Sequence, residues 1–185
     1  MKTTKLLLAG LLLLSCGLSQ AADVVVKGHI NNYQGEPLQI VSWDDTTINR
    51  TVTVDNDGQF RLSLACRPAV AHFLFGDTHA SMPIFLEPGA QIQLNWKLRD
   101  TLGKKPLDVD YQGDDRDCYD YLCDETSIFG LWDAWPFERI DTTRFADYRE
   151  KLSEWMDVYK QRLMKVGSVA FRQNQLKALD KQMIS

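Results

Sequence analysis

From Val24 to Trp96 apolar and polar residues alternate with a period of two, and this pattern constrains the fold more than any other feature of the chain. Only an extended backbone turns successive side chains to opposite faces, so the region reads as half-buried β-strands with one face in a core and the other in water. Ile92, Leu94 and Trp96 alternate with Gln91, Gln93 and Asn95, and Phe60, Leu62 and Leu64 alternate with Gln59, Arg61 and Ser63. Val52 and Val54 alternate with Thr51 and Thr53. Asp55-Asn56-Asp57-Gly58 lies between two such runs and reads as a tight turn, because Asp and Gly tolerate positive φ. An EF-hand would need later ligands and flanking helices that this segment lacks. Pro88-Gly89 fits a type II turn. With Val24 to Ile30, Leu38 to Trp43, Ala69 to Phe75 and a short strand around Val109, about eight closely spaced strands are expected. The sequence thus predicts a fold that is mainly β with α, an antiparallel β-sandwich over residues 22–113 followed by an α-helical segment over 114–185.

The helical segment is announced by a change of period after Gly113. Tyr119 and Leu122 stand at helical spacing, and an aromatic loop runs from Phe129 to Phe137. From Thr142 onward Phe145, Tyr148, Leu152, Trp155, Tyr159, Leu163 and Val166 step by threes and fours, which is an amphipathic helix. Gly167-Ser168 is expected to interrupt it, with a further helix from Phe171 to Ile184. The sandwich, with its local turns, is expected to fold on its own. The helices carry an apolar stripe wide enough to suggest cover by a partner.

Lys2 and Lys5 precede the apolar run Leu6 to Leu14, with Ser19, Ala21 and Ala22 behind it, which is the pattern of a secretory signal peptide over residues 1–21. Export to the periplasm or outer envelope is expected. Leu13-Leu14-Ser15-Cys16 is also a candidate lipobox, and lipidation of Cys16 would tether the protein to a membrane, the only membrane association the sequence suggests. The formal net charge is −4 and two of the basic residues lie in the signal, so nothing suggests a nucleic-acid partner. Beyond the signal three cysteines remain, Cys66, Cys118 and Cys123; an odd number leaves at least one thiol free or intermolecular. A disulfide between Cys118 and Cys123 is a candidate, although five residues apart on a regular helix they point to different sides.

No catalytic, cofactor-binding or metal-binding set stands out. His29, His72 and His79 would have to converge with carboxylates to serve as ligands or bases, and Asp77, His79 and Ser81 are ordinary loop composition. Asp108, Asp110, Asp114, Asp115, Asp117, Asp120 and Asp124 read as a solvated face and a helix start rather than as a cation site. Trp132, Trp135, Phe137, Trp155 and Tyr159 form the most unusual composition in the chain; they are expected first to dock the helices onto the sandwich, and they are also the candidate interface with a partner.

Lys27-Gly28-His29-Ile30, then Val52 through Phe60, then Pro83-Ile84-Phe85-Leu86-Glu87-Pro88-Gly89-Ala90, and finally Tyr111-Gln112-Gly113-Asp114 together resemble a known pattern. It is that of the uncharacterised N-terminal β-domain of envelope thiol-disulfide oxidoreductases, relatives of alkyl hydroperoxide reductase, thiol-specific antioxidant and thioredoxin-like proteins. The resemblance covers Val24 to Gly113. It implies a β-domain that precedes a thioredoxin-like domain bearing Trp-Cys-x-x-Cys, a motif this chain does not contain, so it carries over no catalytic residue. The expected function is therefore a non-catalytic accessory module of thiol-disulfide interchange, positioning a thioredoxin-like domain or partner, or self-associating through its helices. The runner-up is a piece of an oxidoreductase whose catalytic half lies beyond Ser185. The alternative is an independent envelope protein that binds a peptide or glycan through the aromatic loop.

Overall fold

The computed structural model describes residues 22–76, 81–98, 107–123 and 145–184, without the side chains at 97–98, 107–108, 145–152, 155 and 181–184. Eight strands come first: β1 (Val24–Asn31), β2 (Leu38–Val41), β3 (Asn49–Val52), β4 (Gln59–Leu64), β5 (Ala69–Phe75), β6 (Ser81–Leu86), β7 (Gln91–Leu98) and β8 (Leu107–Gln112). Three helices follow, α1 (Arg116–Cys123), α2 (Phe145–Leu163) and α3 (Val169–Ile184). The protein is mainly β, a sandwich of two four-stranded sheets followed by helices. Sheet 1 has the order β4-β1-β7-β8 and sheet 2 the order β3-β2-β5-β6.

All strand pairs are antiparallel except β1 and β7, which run parallel with Val26 beside Ile92 and Ile30 beside Trp96. The parallel pair follows from where the turns lead. Gly58 adopts φ 79° and its N–H donates to the Asp55 carbonyl at 3.0 Å, while Asp55 Oδ1 accepts from Asp57 N and Gln59 N. That turn is tight, as the Asp-Gly pair demands, yet across it only Val54, beyond the end of β3, bridges to Phe60 of β4, and the two strands belong to different sheets. At Pro88-Gly89, Ala90 N donates to the Glu87 carbonyl at 2.9 Å with Gly89 at φ 86°, and the chain again crosses from sheet 2 to sheet 1.

The alternating residues meet between the sheets. Val24, Val26 and Ile30 of β1, Phe60 and Leu64 of β4, and Ile92, Leu94 and Trp96 of β7 are buried against Leu38, Ile40, Ala71, Phe73, Phe75, Met82, Ile84 and Leu86. Each large apolar side chain withdrawn from water contributes about 1.5 to 3 kcal/mol. Trp96 sits at the centre, with ring centroids 5.2 Å from Phe60, 5.5 Å from Phe73 and 5.0 Å from Phe75. Gly28 interrupts the β1 alternation because a Cβ there would stand 2.3 Å from the Phe60 ring and 2.7 Å from the Leu94 carbonyl oxygen.

A second buried cluster covers the outer face of sheet 2. Val70 and Phe85 point away from the sandwich interior and pack against Cys118, Tyr121 and Leu122 of α1, Tyr159 and Leu163 of α2, Val166, and Phe171 and Leu179 of α3. Spacings of three and four place those residues on one face of each helix. The molecule therefore has three layers, sheet 1, sheet 2 and helices.

Candidate functional site

The junction between helices and sheet 2 gathers most of the residues singled out by sequence. α1 starts at the end of β8, where the Tyr111 hydroxyl donates to Asp115 Oδ1 at 2.5 Å and the Asp115 carbonyl accepts from Cys118 N at 3.0 Å. Burial pushes the Asp115 carboxyl above its ordinary value, with the neighbouring Asp117 and Glu87 charges adding to the shift and the Tyr111 hydrogen bond opposing it. Its Oδ2 is buried and finds no partner among the described residues. Burial and the Asp115 hydrogen bond likewise push the Tyr111 hydroxyl far up.

The turn between α2 and α3 is fastened at three points. Gly167 N donates to Asp117 Oδ2 at 2.5 Å, Ser168 Oγ to Glu87 Oε2 at 2.7 Å, and Asn174 Nδ2 to Asp44 Oδ2 at 3.1 Å. Ser168 also caps α3, its Oγ accepting from Phe171 N at 3.0 Å. A groove of 360 Å³ lies between these contacts, lined by Glu87, Asp114, Asp115, Asp117, Gly167 and Ser168. Three of its four carboxylates are drawn into the fold: Asp117 and Glu87 hold the helical turn and Asp115 holds Tyr111. Elsewhere in the acidic stretch Asp120 pairs with Arg116 at 2.9 Å and Asp110 accepts from Gln112 at 3.0 Å.

Cys118 is fully buried at this junction, and burial, followed by the charges of Asp117 and Asp115, pushes its thiol well above the ordinary range. Cys123, on the same helix, is exposed, and none of Cys118, Cys123 and the half-buried Cys66 is joined in a disulfide. Burial, followed by the charges of Asp45 and Asp23, pushes Cys66 up as well. Neither raised thiol is set up to form a thiolate, the reactive species in disulfide exchange.

Tyr159, expected at an interface, belongs instead to the interior. It is 1% exposed, its ring lies 5.4 Å from that of Tyr121, and its hydroxyl donates to Gln175 Oε1 at 3.1 Å. The described part of the α2 stripe, Tyr159 and Leu163, is covered by α1, α3 and sheet 2, and Phe171 stands 4.9 Å from Phe85 and 5.5 Å from Tyr121 and closes the gap. Trp132, Trp135, Phe137, His79, Asp77, Asp124 and Cys16 lie outside the described residues, as does the side chain of Trp155. His72 is 4% exposed beneath Trp43, with ring centroids 4.3 Å apart. Burial pulls its imidazole down to about 4, against the opposing charge of Asp44.

Sequence reasoning passed over the outer face of sheet 1, where Lys27 and His29 of β1, Gln59 and Arg61 of β4, and Gln93 and Asn95 of β7 line an open groove of 780 Å³. The signal was present in the outward positions of the alternation. What tied them together was the pairing of β1 with β7, strands separated by most of the sandwich.

Fold and site define a mainly β protein with a covering helical layer in which Cys118 is buried. No family model matches the chain, and no curated protein matches it. Among solved structures it is similar to the C-terminal domain of AlgF from P. aeruginosa, at 17% identity and a TM-score of 0.29, over 51% of this chain and 98% of that one.

Proposed function

We propose that this chain is a non-catalytic accessory module of thiol-disulfide interchange in the cell envelope, delivered by the signal at residues 1–21 and positioning a thioredoxin-like domain or partner. The observation that carries the reading is the state of Cys118: a fully buried thiol whose surroundings oppose ionisation supports packing rather than electron transfer. The resemblance of the β-domain to the N-terminal part of envelope oxidoreductases supplies the chemical neighbourhood. Docking surface is available at the α2–α3 turn, where Met164 and Val169 are 66% and 57% exposed.

The test is sedimentation velocity of the mature protein mixed with a purified thioredoxin-like domain that carries Trp-Cys-x-x-Cys. A complex with a dissociation constant in the micromolar range is expected, weakened about tenfold by Met164→Asp, the effect of about 1.4 kcal/mol. Absence of any complex at several hundred micromolar would remove the positioning role.

A further inference from the structure

The outer face of sheet 1 lies on the opposite side of the sandwich from the helices, and it carries an arrangement that folding does not account for. In the β1–β4 register Lys27 stands directly opposite Arg61, and both side chains are exposed on the outer face. Like charges directly opposed across a strand pair are destabilising. Neither Lys27 nor Arg61 forms an ion pair with a described residue. The repulsion is therefore left standing in the folded protein.

The neighbours of this pair are hydrogen-bonding groups. β7 places Gln93 beside Lys27, and the next row along the strands runs Gln59, His29, Asn95. His29 Nε2 lies 3.0 Å from the Asp57 carbonyl oxygen. A carbonyl only accepts, so Nε2 is the donor there and Nδ1 is left for a ligand. Thr53 and Asp55 wall the groove beside β4, and the apolar residues in its lining are Gly28 and the buried Phe60.

We propose that this groove binds an acidic saccharide, with its oxyanion held between Lys27 and Arg61 and its hydroxyl groups bonded by Gln59, Gln93, Asn95 and His29. Adjacent strands lie about 4.8 Å apart, so the ammonium and guanidinium can converge on one oxyanion; the guanidinium offers two parallel donors to it. Side-chain amides both donate and accept, as sugar hydroxyls do. An acidic peptide would pair along the free edge of β4 or seek apolar pockets, and a membrane would need apolar side chains to insert; the face across β4, β1 and β7 offers neither pockets nor insertion residues of that kind. The oxyanion chemistry is common to a carboxylate and a phosphate. The inference does not depend on the accessory role proposed above.

Isothermal titration of the full mature chain tests it, with trigalacturonate as the carboxylate arm and glucose 6-phosphate as the phosphate arm. Maltotriose, triglutamate and phosphatidylglycerol vesicles are the comparisons. Binding of at least one charged saccharide is expected, weakened tenfold or more in the Lys27→Gln/Arg61→Gln double variant and unchanged in Lys177→Gln, an exposed lysine on α3. The double variant should melt no lower than the wild type, because it removes a repulsion. The proposal is overturned if neither charged saccharide binds, if maltotriose binds as well as they do, if triglutamate or the vesicles bind in preference, or if the double variant keeps full affinity.

Discussion

His72 shows how one side chain sets the pH response of this fold. It faces outward from β5, is closed off by Trp43, and holds its imidazole neutral down to about 4, whereas an unfolded histidine titrates near 6.5. Between those values the unfolded chain binds more protons than the folded one, so stability is lost as pH falls through that window, by about 3 kcal/mol at most. Asp115 acts in the other direction. Its raised carboxyl favours the folded state at low pH, and that contribution disappears as pH rises through its folded value. Chemical denaturation of the wild type and His72→Phe at pH 7 and at pH 4 separates the two. The wild type is expected to lose more stability than the variant on acidification, and equal losses would show that His72 carries none of the response.

At the scale of elements, Ser168 joins two structures at once by capping α3 and bonding Glu87 at the end of β6. Ser168→Ala is expected to cost about 1 to 2 kcal/mol in urea unfolding, from a lost cap together with a lost charge-assisted bond; a change under about 0.3 kcal/mol would show the fastening to be slack. The break at Gly167-Ser168 was legible in the sequence, since Gly and Ser are a helix stop and a helix cap. The strands were legible too, because Ile92, Leu94 and Trp96 can share a face only in an extended chain. Their partners were not. Asp57-Gly58 and Pro88-Gly89 specify tight turns by local chemistry, but whether the strands beyond a turn pair or part depends on which sheet buries them, and that is decided by distant residues. The parallel β1–β7 pair, and with it the Lys27, Arg61 and Gln93 row, depends on such distant choices. Tyr159 could be read as docking the helices or as facing a partner for a related reason: a helical stripe shows that a face is covered without showing by what, and for Tyr159 α1, α3 and sheet 2 supply the cover.

Across the whole molecule the layers divide the work. The sandwich core is a continuous apolar interior centred on Trp96, the helices seal sheet 2 with a second interior that contains Cys118, and the outer face of sheet 1 stays polar and open. In the proposed function the buried thiol belongs to packing, and a partner would supply the disulfide chemistry. The most direct test is an insulin-reduction assay on the purified mature protein with dithiothreitol as reductant. The account predicts a rate no higher than that of dithiothreitol alone, unchanged in Cys118→Ser and Cys123→Ser, whereas turnover above that background that either substitution abolishes would contradict it.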